Sequence, residues 1–198
     1  MDLSLSRRVE PELLDDLDAD DPRAQRSRND LRRIHRAMAA LSVLKRALDS
    51  AASASPPHTI VELGAGDGSL LLRLAQDRAA RWPSVNITLL DRQDLVAPRT
   101  LASLRNLGWE PTVVAMDVFD WLASPDAALA DVVLANLFVH HFSADPLARL
   151  LAGIEQRCRV FFCSEPRRSA LALAGSHLIG LLGAGPVTRT DAVTSVHA

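Results

Sequence analysis

Apolar residues along this chain recur with two different periods. Short apolar runs bounded by polar or turn-forming residues, at Thr59–Leu63, Asn86–Asp91, Pro111–Asp117, Asp131–Leu137 and Val160–Ser164, predict β-strands. Between them, apolar residues at three- and four-residue steps predict helices near Leu70–Ala80, Pro98–Leu107, Phe119–Leu122 and Pro146–Gln156. Upstream, Leu31, Ile34, Met38, Leu41, Leu44 and Leu48 mark one helix from about Gln25 to Ser50, broken by the paired prolines that end at Pro57. Downstream, the pattern predicts a helix from Arg167 to about Leu182, a glycine-rich turn at Gly183–Pro186 and a short helical segment over Thr190–Val196. Strands alternating with helices are the signature of an α/β, doubly wound parallel sheet covered on both faces. Residues 1–24 read as an irregular acidic lead-in, 25–57 as a helix and linker able to act as a lid, and 58–198 as the α/β domain.

Composition narrows the class. The chain has 198 residues, 48% of them hydrophobic, with 22 Lys and Arg against 24 Asp and Glu, enough for one core and too balanced for a disordered segment. A net charge of −2 speaks against a nucleic-acid partner, which requires a positive surface. Cys158 and Cys163 form no CxxC or Cys/His cluster, and His58, His177 and His197 have no ligand spacing, so no metal is expected. The cysteines are expected to be reduced thiols of a cytoplasmic protein. No stretch of about 18 apolar residues predicts a membrane partner.

The richest segment is Val61-Glu62-Leu63-Gly64-Ala65-Gly66-Asp67-Gly68-Ser69-Leu70, a strand that ends in an acid and runs through alternating glycines into a helix. Such a turn lets a cofactor approach backbone N–H groups at a helix N-terminus. A dinucleotide fingerprint would need glycine where Ser69 stands, and the chain has no tyrosine, which leaves an NAD(P)-dependent oxidoreductase as the lesser alternative. Asp91, Asp117 and Asn136 close later strands, at the edge where open parallel sheets bind ligands. Asp91 and Asp117 have a second reading as turn or helix-cap residues.

The pattern E-x-G-x-G-x-G resembles motif I of the class I S-adenosylmethionine-dependent methyltransferases, and residues 59–166 carry the likeness. The resemblance implies a Rossmann-like methyltransferase fold with S-adenosyl-L-methionine as cofactor. Gly64, Ala65, Gly66 and Gly68 would hold its ribose and carboxylate side, and Glu62 its amino group. Asp91, with Arg92 beside it, would take the ribose diol, Asp117 the adenine amino group, Val118 the ring face, and Asn136 would lie beneath the methionine part. In the plant-type small-molecule O-methyltransferases, L-x-H-D-W-S-D carries the general base. The corresponding F-V-H-H-F-S-A-D gives that role to His140, with His141 beside it, unless both brace the next helix. Glu165 would orient a substrate or cap a helix. The expected reaction is O-methylation of a small hydroxylated apolar or aromatic acceptor, as in bacterial polyketide- or quinone-type secondary metabolism, with a non-catalytic cofactor-binding fragment as the alternative. The family sheet runs 3-2-1-4-5-7-6. Here strands 6 and 7 are missing from the pattern, so a five-stranded sheet in the order 3-2-1-4-5 is expected, on a chain truncated at its C-terminus. The edge at Val160–Cys163 would then be open to a homodimer.

Overall fold

The computed structural model describes residues 6–18, 20–37, 40–51, 55–125 and 129–198. Its strands are β1 (Thr59–Leu63), β2 (Val85–Asp91), β3 (Trp109–Ala115), β4 (Ala130–Asn136) and β5 (Cys158–Ser164). Its α-helices are α1 (Pro22–Ala37), α2 (Ala40–Ala51), α3 (Ser69–Arg78), α4 (Pro98–Asn106), α5 (Val118–Ala123), α6 (Ala144–Glu155), α7 (Ala170–Leu178) and α8 (Pro186–His197). Contacts divide the chain into two compact units, one of residues 41–138 and 144–164, the other of 1–40, 139–143 and 165–198.

The first unit holds the sheet. All four strand pairings are parallel and the order is β3-β2-β1-β4-β5, as expected. The chain reverses direction of winding between β1 and β4, and a crevice forms at the carboxyl ends of strands at such a point. Leu44 and Leu48 of α2, Leu71 and Leu74 of α3 and Leu104 of α4 join Ile60, Ile87, Leu89, Leu134 and Trp109 in one core. Each such side chain contributes about 1.5–3 kcal/mol on burial. Trp82 stacks on Trp109 with ring centroids 6.4 Å apart, and the Trp109 indole N–H donates to the Trp82 carbonyl at 3.0 Å. Arg78, only 2% exposed, pairs with Asp49 at 2.9 Å and lies over Trp82.

Strand β3 begins two residues before the predicted start and ends at Ala115, not Asp117. Pro111, the expected first residue of this strand, lies inside it. At a sheet edge its missing N–H costs no ladder bond, so Trp109 and Glu110 still pair with Val85 and Asn86. The other edge is β5, with β4 as its partner strand. After Ser164 the described residues are helical or irregular, and no sixth or seventh strand forms.

In the second unit α8 packs against α1, α7 and a 3-10 turn at Leu13–Asp16. Asp30 of α1, 1% exposed, accepts from the Gly185 N–H at 2.7 Å and the Thr188 hydroxyl at 3.1 Å, and Thr188 also reaches Ser27. Asp191 accepts from the N–H groups of Leu13 and Leu14 at 2.8 and 3.0 Å. Within the lead-in read as irregular, Leu13–Asp16 form this turn and Asp191 holds its start. Asp21 caps α1, accepting from the Arg23 N–H at 2.7 Å, with Pro22 at the first helical position. The helix expected over 25–50 is helical over Pro22–Ala37 and Ala40–Ala51; Met38 and Ala39 between them lie outside the described residues, as do 52–54 in the predicted break. Pro186, read as part of a turn, instead starts α8. No helix among the described residues is long and apolar enough to cross a membrane.

Candidate functional site

The glycine turn leaves β1 with Gly64, Gly66 and Gly68 at φ of +66°, +55° and +71°, where side chains are disfavoured. A Cβ on Gly64 would stand 2.5 Å from the Phe138 ring, whereas one on Gly66 would meet nothing within 4 Å. The turn is pinned to β2 by the Ala65 N–H, which donates to the Leu90 carbonyl at 3.0 Å, and by the Gly66 N–H, which donates to Asp91 Oδ2 at 2.9 Å. Asp67, one residue before the N-cap Gly68 of α3, accepts from the Ser69 N–H at 3.1 Å.

Glu62, on β1, is 3% exposed, and its Oε2 has no hydrogen-bond partner. Burial, reinforced by the nearby Asp67 and Asp91, raises its carboxyl well above the ordinary range. A buried carboxyl with one unpartnered oxygen beside the glycine turn is one that a cation could hold in its ionised form. The amino group of S-adenosylmethionine has the charge and donors that Glu62 lacks, so the cofactor implied by the motif fits these residues.

Asp91 spends one oxygen on Gly66 and the other on the Gln93 N–H at 3.1 Å, leaving lone pairs on each. It braces the turn as well as facing the crevice edge. Arg92 is exposed. Asp117 caps α5, accepting from the Phe119 N–H at 2.8 Å, and Val118 behind it is buried. Asn136 ends β4 opposite Ser164 of β5, and with Val43, Leu44, Ala47, Leu70 and Phe162 it lines a cleft with largely apolar walls. Leu137 follows at φ 54°, a conformation rare for a branched side chain, and its N–H donates to the Ser164 carbonyl at 2.8 Å.

His140 and His141 lie in the second unit, in a 3-10 turn at Val139–His141. His140 is 5% exposed and both of its ring nitrogens face carboxylates: Nδ1 lies 2.5 Å from Glu165 Oε2, and Nε2 lies 3.2 Å from Glu12 Oε1. The Val139 N–H holds the other Glu165 oxygen at 2.8 Å, and the Ser195 hydroxyl donates to Glu12. Burial pulls the His140 pKa down, but the bonds to Glu12 and Glu165 outweigh it and raise it to about 9. His141, its ring 4.2 Å away, is pushed down by burial and by the charge on His140. Its Nδ1 lies 3.5 Å from Asp15 Oδ2. The general base expected at His140 is thus an imidazole with both nitrogens committed. Glu12 and Asp15 were missed because they lie about 125 residues before the histidines, beyond any local spacing rule.

No protein-family profile and no curated protein matches the chain. Among solved structures it is similar to a Nostoc punctiforme protein assigned as an O-methyltransferase, at 14% identity and a TM-score of 0.50 over 80% of this chain. It is also similar to coclaurine N-methyltransferase bound to N-methylheliamine and SAH, at 19% identity and a TM-score of 0.42 over 63% of the chain. A third similarity, at 17% identity and a TM-score of 0.40 over 70%, is to a ketoreductase domain from the bacillaene assembly line. The chain spans 43%, 35% and 37% of these three structures, respectively. Its strand order, all-parallel sheet and likeness to the Nostoc structure give this chain the Rossmann-like fold of the class I methyltransferases.

Proposed function

We propose that the chain binds S-adenosylmethionine along the crevice edge of its sheet and transfers the methyl group to a small hydroxylated, apolar or aromatic acceptor. The observation that carries this reading is the buried, unpartnered Glu62 oxygen beside the glycine turn. Glu62 would hold the amino group, Gly64–Gly68 the ribose and carboxylate side, the spare lone pairs of Asp91 the ribose hydroxyls, and Asp117 with Val118 the adenine. The bound cofactor supplies a methyl group already activated on a sulfonium. The protein then has to align the acceptor and exclude water, and the apolar side chains around Asn136 match such an acceptor in polarity.

A hydroxyl acceptor must also lose a proton. With both ring nitrogens facing carboxylates, His140 has no free lone pair for it, and we assign that step to no side chain. Calorimetric titration with S-adenosylmethionine, S-adenosylhomocysteine and NAD tests the reading. Saturable binding of the first two, weakened at least tenfold in Glu62→Gln, is expected; binding of NAD alone would replace methyl transfer with hydride transfer.

A further inference from the structure

We propose that Glu12, His140 and His141, supported by Asp15, form a site for a divalent transition-metal ion of the zinc type. One donor atom from each of Glu12, His140 and His141 lies within 4.8 Å of the others. Two donors on one tetrahedral zinc sit about 3.4 Å apart, given metal–ligand bonds near 2.1 Å, so a small contraction brings the three onto one ion. His140 Nε2 is already 3.2 Å from Glu12 Oε1, and Asp15 Oδ2 is 3.5 Å from His141 Nδ1.

A second observation points the same way. Glu165 grips His140 Nδ1 at 2.5 Å and is itself fixed by the Val139 N–H. A carboxylate on the far ring nitrogen is the arrangement that fixes the tautomer and aims the lone pair of a metal-binding histidine. Here it aims Nε2 at a carboxylate oxygen. In the metal-free protein the Nε2 proton lies between His140 and Glu12; a metal ion would take its place with release of that proton, and two imidazoles with two carboxylates are a donor set suited to borderline divalent ions. All of these groups belong to the unit of residues 1–40, 139–143 and 165–198. The site therefore does not depend on S-adenosylmethionine binding, and the two readings can fail separately.

The test is a titration of the tag-free chain, stripped with a chelator, first with Co²⁺ and then with Zn²⁺. One Co²⁺ per chain with visible d–d absorption, displaced by Zn²⁺ and accompanied by a rise in melting temperature, is expected. Glu12→Gln and His141→Ala should each weaken binding at least 100-fold. Glu165→Gln, which touches no ion, should weaken it about 10- to 100-fold. Circular dichroism identifies any variant that fails to fold, and Asp15→Asn then takes its place in the series. Absence of saturable binding by the parent chain, or equal affinity in the folded variants, would overturn the site and leave a proton between Glu12 and His140.

Discussion

Glu62 carries opposed demands. Unliganded, it is a buried acid with no partner for Oε2; occupied, it is a counter-ion. Glu62→Gln should therefore raise the melting temperature of the free protein while lowering affinity for S-adenosylhomocysteine by about 1.4–3 kcal/mol, a trade that thermal melts with and without ligand would display. Because the folded carboxyl keeps its proton to higher pH than the unfolded one, stability should fall as pH rises above the ordinary carboxylate range, until Glu62 ionises in the folded state too. The glutamine variant should lose that slope. The glycines divide differently. Gly64→Ala forces a Cβ into the Phe138 ring at positive φ and should cost about 2–4 kcal/mol, part of it recovered by Phe138→Ala in a double-mutant cycle. Gly66→Ala meets open space and should cost only about 1 kcal/mol of folding, with its larger effect on cofactor affinity measured by calorimetry. If Gly64→Ala and Gly66→Ala destabilise equally, the Phe138 contact does not determine the cost.

At the scale of elements, the start of β1 depends on one side chain. Asp131, beside it on β4, accepts from the N–H groups of His58 and Thr59 at 2.7 and 3.1 Å. Burial would raise its pKa, but these bonds outweigh it and lower it. Its contribution is thus present at neutral pH and lost as pH falls through the lowered folded value. Asp131→Ala should cost about 1–3 kcal/mol at pH 7 and almost nothing in strong acid, which urea melts at several pH values would show. The five strands were legible because buried parallel strands read as continuous apolar runs, and so was the glycine turn, because its chemistry is contiguous. Chain ends of elements were harder to read. Pro111 was read as a strand start and Pro186 as part of a turn, and only their places, inside an edge strand and at a first helical turn, show how far each element extends. Asp91 and Asp117 were legible both as strand-end acids and as turn or cap residues, since Asp favours those places, and they do serve as brace and cap. The Glu12–His140–Glu165 cluster was invisible for the plainest reason: tertiary folding alone brings its members together.

For the molecule as a whole, the two units make separable demands. Asp30→Ala removes the acceptor for Gly185 and Thr188 and should leave their buried donors unpaired. Hydrogen exchange should then speed up across α1 and α8 while amides of β1 and β4 keep their protection; equal loss in both would make the units one cooperative body. The unit built by α1 and α8 also has a history imposed by its wiring. Asp30 and Gly185 are 155 residues apart, Leu13 and Asp191 178, and Glu12 and His140 128. At a synthesis rate of about 5–20 residues per second, Asp30 is synthesised roughly 8–31 s before Gly185 exists. During that interval Ser27 and Asp30 are exposed to solvent, and the nascent chain has only local and sheet-forming contacts to make. The contacts that join α1 to α8 therefore become possible only late in synthesis and close some of the longest loops in the chain.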